Sequence, residues 1–259
     1  IQNQNMAVLQ TPALLIITHP DFISEADRLA VHRAQHSGWE TAVVTTGQIY
    51  NEFSSGRQDV TAIRDFIKML YDRNSGALRA VLLFGKGSYD YKNRIDRNTN
   101  FVPTYESRNS LSPLATYSSD DYFAFLEDHE GEWGESPVQN HTLDIGVGRL
   151  PVKSVAEAKA VVDKIIYYDT NAKTYGSWRK MISFVGDDGN NSDDFTNSHQ
   201  SQANAMAVSI ETSNPEFDTK RIFLGTYEKI SRSNGEVIPK VNDAIVEKFD
   251  RGSLIINFT

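Results

Sequence analysis

Residues 13–18 read ALLIIT, a continuous apolar run typical of a β-strand that is buried on both faces. An amphipathic helix pattern follows this run. We expect Ser24 to cap that helix and Gly38 to end it. A second apolar strand is expected over residues 41–45. The chain therefore opens with a strand, a helix and a strand.

The next segments repeat this alternation. Asp59 is placed to cap a helix whose apolar residues recur at helical spacing, and residues 80–84 read AVLLF, a third buried strand. Strands that alternate with helices predict a parallel sheet with right-handed crossovers. The fold class predicted for this first part is α/β.

Residues 85–137 have a different composition, rich in Gly, Ser, Asn, Asp and Tyr. They predict long loops with a short strand over residues 122–126, and loops of this length are commonly functional. A strand is expected over residues 143–147. Ser154 and Glu157 then form a capping box for a helix that reaches about residue 171.

A second α/β unit is predicted from near Trp178. Its expected elements are strands over residues 181–185, 221–224 and 253–258, a helix over residues 198–210 and a helix that Gly252 ends. We therefore expect two consecutive parallel-sheet α/β subdomains, residues 1–175 and 176–259. The last strand runs out without a turn signal, so the second subdomain is expected to be incomplete.

Composition excludes several classes of protein. The 259 residues carry a net charge of -8 with no clustered basic patch, which argues against a nucleic-acid binder. No apolar run approaches the roughly 20 residues that a membrane helix needs. The chain has no cysteine, which excludes disulfides, thiolate metal sites and a cysteine nucleophile within these residues. Ile1 is not a native start, so a removed leader peptide remains open.

Eight segments, in order along nearly the whole chain, resemble the gingipain-type cysteine peptidases of family C25. Each is weak alone, but their joint order is specific. They are residues 48–56, 59–64, 81–90, 101–105, 119–123, 144–151, 184–189 and 255–259. Within the family, their details are most similar to the sortases of type IX secretion.

The resemblance implies a fold, an activity and a location. The family fold is two α/β subdomains, of which the second is caspase-like. In the family, a segment like residues 257–259 is followed at once by Gly-His-Gly, whose histidine is the catalytic base, and the nucleophilic cysteine lies further on. The chain is thus expected to be the front part of a cysteine endopeptidase domain, inactive by itself. An exported, cell-surface, outer-membrane or secreted protein is implied, with a protein or peptide substrate and an outer-membrane secretion partner.

The resemblance also implies roles for two residues. A thiol becomes a nucleophile when a histidine shifts it to the thiolate, and a third group orients that histidine. The matching position here is Asp187, although Asp187 could instead cap a turn. Arg-specific members carry a pocket carboxylate soon after this loop, whereas residues 196–199 have none. His199 is therefore the candidate substrate-binding residue, and no strong arginine preference is expected unless the match slips to Asp193 or Asp194.

Calcium is the one metal ion that the resemblance implies, as a structural ion, and no cofactor is expected for catalysis. Ca²⁺ takes several oxygen ligands. The alternative for such acidic loops is a solvated surface, and the EF-hand spacing is not met. The candidates are Asp187, Asp188, Asp193 and Asp194 in one loop, with Asp120 and Asp121 in another.

Three further signals are weaker. Residues 85–88 (GKGS) lack the first glycine of a phosphate-binding loop. His32 and His36 are four residues apart, as in zinc sites, but the sequence indicates no third ligand, so a solvated helix face is favoured. Arg149 is expected to pair with an acid between the subdomains or to lie on the surface.

Two other functions stay open at this stage. The chain could be a non-catalytic docking domain of a secretion or cell-surface complex, with residues 85–137 as its binding surface. It could also be a phosphoacceptor receiver, as Asp187 and Asp188 after a strand would suggest. The receiver reading leaves the preceding residues unexplained.

Overall fold

The structure, a computed structural model, divides into two compact units, Ile1–Thr170 and Asn171–Thr259. It describes residues 4–92, 94–108, 111–112, 114–131, 133, 141–187, 196–233 and 235–259. The domain boundary predicted after residue 175 lies just beyond the end of the first unit and stays a prediction.

The first unit is built around a parallel sheet. In chain order its elements are β1 (Leu14–Thr18), α1 (Ile23–Ser37), β2 (Thr41–Thr45), α2 (Thr46–Phe53), α3 (Val60–Arg73), β3 (Ala80–Phe84), β4 (Tyr105–Glu106), β5 (Ser118–Ser119), β6 (Gly146–Leu150) and α4 (Val155–Thr170). The main sheet has the order β2-β1-β3-β6, and all of its pairings are parallel. Strands β4 and β5 form a small antiparallel pair among the loops.

Helices cover both faces of this sheet, which is why β1 is buried along its whole length. Leu15 and Ile17 belong to a core cluster that α3 completes. Leu14 and Ile16 point to the other face and join residues of α1 and α4. All five residues of β1 are buried. The predicted buried parallel strand is thus confirmed.

The helix boundaries follow local capping. Asp59 caps α3, as predicted, by accepting a hydrogen bond from the Thr61 amide. The predicted Ser24 cap of α1 is wrong, because Ser24 lies inside the helix and a short 3₁₀ turn, Pro20–Phe22, leads into it. Helix α2 was not predicted from the sequence, although Thr45 and Gln48 form a complete capping box at its start.

The strand predicted over residues 122–126 is a second correction. The segment begins with a 3₁₀ helix, Asp121–Ala124, and all of its side chains are buried. Side chains of α3 satisfy its carbonyl groups in place of a neighbouring strand. Arg64 donates to the Phe125 carbonyl at 2.7 Å, and Lys68 donates to the Leu126 carbonyl at 2.8 Å. The apolar run reflects burial on all sides and not strand pairing.

The fourth strand of the sheet, β6, lies three residues later than the predicted strand over residues 143–147. Asp144 bonds to the 3₁₀ segment instead of the sheet, because its amide donates to the Ala124 carbonyl and its carboxylate accepts from the Leu126 amide. Because Asp144 is held in this way, β6 begins only at Gly146.

The second unit repeats the design on a smaller scale. Its elements are β7 (Met181–Gly186), α5 (Thr196–Ser213), β8 (Asp218–Phe223), β9 (Ile230–Arg232), β10 (Gly235–Val237), α6 (Pro239–Arg251) and β11 (Ile255–Phe258). The sheet order is β11-β7-β8, all parallel, and β9 with β10 forms an antiparallel hairpin. The predicted α/β class with two parallel sheets is confirmed.

Strand β7 is the centre of this unit. Ile182 and Phe184 pack against Ala203 and Ala207 of α5 on one face. Val185 packs on the opposite face with Val241 of α6.

In the described part of the chain, no helix has the length and apolar character needed to cross a bilayer.

Candidate functional site

Two chain segments meet at the carboxyl edge of the second sheet. Asp187 directly follows β7, and Thr259 directly follows β11. The Thr259 amide donates to the Val185 carbonyl at 3.0 Å, and the Asp187 amide lies 3.4 Å from the Thr259 carbonyl. The parallel pairing of the two strands therefore extends to this edge and places Asp187 beside Thr259.

This edge is also where the sheet changes direction. From β7 the chain passes through α5 to β8 on one side, and from β8 it passes through α6 to β11 on the other side. The connections leave β7 and reach β11 on opposite faces, as the packing of α5 and α6 shows. In open α/β sheets, ligands bind in the crevice that forms at such a switch point.

Gly186 allows α5 to begin close to the end of β7. A β-carbon on Gly186 would lie 3.2 Å from Cδ1 of Phe223 and 3.3 Å from Cγ of Gln200. The α-carbon of Gln200 would be 3.5 Å away. The first turns of α5 are therefore held against the carboxyl edge of the sheet.

His199 precedes Gln200 in this part of α5 and is half-buried. Its Nδ1 is buried and, among the described residues, has no hydrogen-bond partner. A buried polar atom without a partner is costly in a folded protein and is often explained by a function. Sequence reasoning singled out His199 by position alone, and the structure adds an unused hydrogen-bonding nitrogen.

One polar contact joins β7 to Ser253, just before β11, and a second lies within the β11 segment. The hydroxyl groups of Ser183 and Ser253 lie 3.0 Å apart, and Ser183 is completely buried. At the other end of β11, the side-chain amide of Asn257 donates to the Thr259 hydroxyl at 3.0 Å. The chain thus leaves β11 in a defined direction beside Asp187.

Arg149 organises the corresponding edge of the first sheet. Its Nε and Nη2 donate to the two carboxylate oxygens of Asp120, each at 2.7 Å. Its remaining N–H groups donate to the carbonyls of Gly85, Val102 and Pro103. Arg149 therefore pairs with an acid of its own unit, and all five guanidinium donors are used.

This arrangement does not fit a calcium ion at Asp120, because a guanidinium already holds both of its oxygens. Asp121 is exposed, and its amide bonds to Ser119. Within the described ranges, Asp120, Asp121 and Asp187 belong to no group of three carboxylate or imidazole ligands. The remaining calcium candidates, Asp188, Asp193 and Asp194, lie outside the described residues.

The start of the loop over residues 85–88 is packed against the end of β6 and against Val102. The Gly85 amide donates to the Leu150 carbonyl, and the Lys86 amide donates to the Val152 carbonyl. A β-carbon on Gly85 would lie 2.9 Å from Val102. The glycines serve close packing, which agrees with the missing phosphate-loop spacing.

Comparisons with known proteins give the family. The model of peptidase family C25 matches residues 7–259. The structure of dimeric latent PorU from Porphyromonas gingivalis is 34% identical over 69% of this chain and 17% of that chain, with a TM-score of 0.58. No curated protein sequence matches the chain.

Two gingipain structures show the same fold at lower identity. The complex of the pro- and mature domains of Porphyromonas gingivalis RgpB is 18% identical over 95% of this chain and 47% of that one, with a TM-score of 0.58. The Arg-specific cysteine proteinase gingipain R is 17% identical over 99% and 48%, with a TM-score of 0.59. This chain therefore spans about half of the gingipain chains and a sixth of PorU. From the family match and the shared fold, the chain belongs to peptidase family C25, the gingipain-type cysteine peptidases.

Proposed function

We propose that the parent protein is a cysteine endopeptidase whose catalytic centre is completed beside Asp187 and Thr259. The single observation that carries this proposal is the meeting of these two residues at the switch point of the second sheet. The family resemblance sets a Gly-His-Gly directly after the position of Thr259. A histidine there would follow β11 and lie next to Asp187.

Asp187 has the chemistry of the third group in such a centre. A carboxylate that accepts a hydrogen bond from the histidine fixes the tautomer and the orientation of the ring and stabilises its protonated form. The Asp187 side chain is exposed at the carboxyl edge, so it can face a residue that the described chain does not itself supply. The histidine would then activate the cysteine thiol.

The test is made in the full-length parent protein with Asp187→Asn and a matched control, Asp218→Asn. Asp218 is also exposed, but it begins β8 and so lies at the opposite, amino edge of the sheet. We expect Asp187→Asn to lower kcat by about a hundredfold or more. Asp218→Asn should keep the wild-type kcat. Full peptidase activity after Asp187→Ala would contradict the role of Asp187.

The 259-residue chain alone is proposed to be inactive as a cysteine peptidase, since it contains no cysteine. Incubation with unstructured protein substrates should yield no cleavage, whereas the parent protein should cleave them in a thiol-dependent manner. Cleavage by the chain alone that persists after thiol-directed inhibition would point to a different catalytic group.

The substrate and location follow from the same resemblance. We propose an exported sortase-like peptidase at the cell surface or outer membrane that cleaves the C-terminal signals of proteins exported by type IX secretion. The 34% identity to PorU over 69% of the chain supports this choice over a gingipain-like protease. Cleavage of a signal-bearing protein, compared with the same protein lacking the signal, tests it.

A partner-docking role is proposed as a second function, carried by two leucines in the loop region of the first unit. Leu111 and Leu114 are 95% and 100% exposed. Exposed leucines can anchor a partner such as an outer-membrane secretion protein. Capture of that partner should weaken when both leucines are changed to serine, while peptidase activity on a short peptide stays unchanged. Unaltered capture would contradict docking through these residues.

A further inference from the structure

Two helices of the first unit, α1 and α4, bring three metal-ligating side chains together. His32 and His36 lie one turn apart on α1, with their rings stacked at a centroid distance of 5.2 Å and an interplanar angle of 21°. The last turn of α4 adds Asp169. Its Oδ2 lies 2.8 Å from Nε2 of His32.

The spacing of these groups suits a small metal ion. One ligand atom from each residue lies within 4.8 Å of the other two, and no other such group occurs in the part of the chain that the structure describes. Ligands of a tetrahedral zinc ion at bond lengths of about 2.0–2.1 Å are about 3.3 Å apart. Small changes of side-chain torsion would bring the three atoms to that separation.

The scaffold that carries the ligands is well packed. Ala26 and Leu29 of α1 and Ala158 and Val162 of α4 belong to one buried cluster. His32 is buried at 9% exposure, whereas His36 is exposed. The group is thus fixed from below by the helix packing and open to solvent on the His36 side, through which an ion could enter.

The charge of Asp169 also favours a cation. An aspartate carboxyl has an ordinary pKa of about 3.9, so it is ionised at neutral pH, the form that binds a metal ion.

We propose that His32, His36 and Asp169 form a binding site for a divalent transition-metal ion of the zinc class. Two imidazoles and one carboxylate are ligands that suit zinc and its neighbours, and three protein ligands leave a fourth position for water. The bound ion joins α1 to the last turn of α4. This site is independent of the proposed peptidase centre.

Arg33 is the competing cation at this site. Its Nη1 lies 2.9 Å from the same Asp169 oxygen that contacts His32. When the ion binds, Arg33 must move aside or Asp169 must coordinate through its other oxygen. Metal binding is therefore weaker than the ligand set alone would allow, and removal of the guanidinium should strengthen it.

The test measures Zn²⁺ binding to the 259-residue chain by calorimetry, together with the visible absorption of the chain loaded with Co²⁺. His36→Gln is the key variant because His36 is exposed and its replacement leaves the core intact. The matched control is His129→Gln, since the His129 side chain is 72% exposed and lies outside the group. We expect His36→Gln to weaken Zn²⁺ binding by at least about tenfold.

The remaining outcomes are equally definite. His129→Gln should bind Zn²⁺ as the wild type does, and Arg33→Gln should bind it several-fold more tightly. Wild-type Co²⁺ absorption should indicate a single tetrahedral site that His36→Gln abolishes. No Zn²⁺ binding by the wild type, or equal binding by the wild type and His36→Gln, would overturn the proposal and leave His32 and Asp169 as an ordinary hydrogen-bonded pair.

Discussion

Arg149 donates hydrogen bonds of 2.7 Å to both carboxylate oxygens of Asp120. The two side chains are 13% and 23% exposed, so this fork-to-fork pair is largely withdrawn from water. Since Arg149 stands on β6 and also binds carbonyls of residues 85, 102 and 103, it ties the long loops to the edge of the first sheet.

Replacement of this arginine should therefore destabilise the first unit. Arg149→Gln leaves a mostly buried carboxylate and three carbonyls without their donor, and we expect the free energy of unfolding to fall by about 2–3 kcal/mol. Urea denaturation measures the change. Lys159→Gln is the control, because the Lys159–Asp163 pair is exposed and should cost less than about 1 kcal/mol. Equal effects of the two substitutions would contradict the role of Arg149 in holding the loops to the edge of the sheet.

Two glycines should respond to alanine with opposite signs. At Gly186 the added methyl group would press on Phe223 and Gln200, and we expect a loss of about 1–3 kcal/mol. At Gly148, in β6, the methyl group meets nothing within 4 Å, and Ala should stabilise the strand by about 0.5–1 kcal/mol. Thermal unfolding of both variants checks the prediction, and a neutral Gly186→Ala would show that α5 can move away from the edge.

The repeating elements of the fold could be read from the sequence because each depends on local pattern. The apolar run of β1 and the Asp59 cap of α3 need only neighbouring residues to be understood. The segment over residues 122–126 could not be read this way. Its carbonyls are satisfied by Arg64 and Lys68, about 60 residues earlier in the chain, so the same apolar letters give a 3₁₀ helix instead of a strand.

The candidate sites also differ in how far local sequence patterns predict them. Placement of Asp187 beside Thr259 follows from two parallel strands that end at one edge, which the two apolar runs in the sequence already implied. The third ligand beside His32 and His36 is different, because Asp169 lies 137 residues after His32. Only the packing of α1 on α4 brings them together, and no spacing within either helix signals it.

A pH dependence is expected from Glu211 in the second unit. Arg221 donates to both Glu211 oxygens, at 2.7 and 3.0 Å, and this pairing, aided by Thr219, lowers the pKa of Glu211 to about 2. Because the pKa of Glu211 in the folded protein is below the ordinary glutamate value of 4.5, the pair stabilises the fold above that pH. This contribution is lost as the pH falls from about 4.5 to about 2.

Urea midpoints measured between pH 6 and pH 2 test this expectation. Glu211→Gln should lose less stability than the wild type as the pH falls through this range. Arg221→Gln removes the partner and should reduce the loss in the same way. Since the Arg221 and Glu211 side chains are 29% and 42% exposed, added salt should reduce the difference between wild type and variant. An unchanged loss of stability at acid pH in both variants would show that other carboxylates cause it.

His199 should affect substrate binding rather than the chemical step, in contrast to Asp187. Its buried Nδ1 has no partner among the described residues and stands on the part of α5 held against the carboxyl edge by Gly186. The residue as a whole is only half-buried, and a substrate group that hydrogen-bonds to the imidazole would contribute about 1 kcal/mol, so loss of the imidazole should raise KM about three- to tenfold. In the parent protein, His199→Ala is therefore expected to raise KM with little change in kcat, whereas Asp187→Asn lowers kcat. Steady-state kinetics on one peptide series separates the two, and a fall in kcat alone after His199→Ala would place this histidine in the chemical step and not in the substrate pocket.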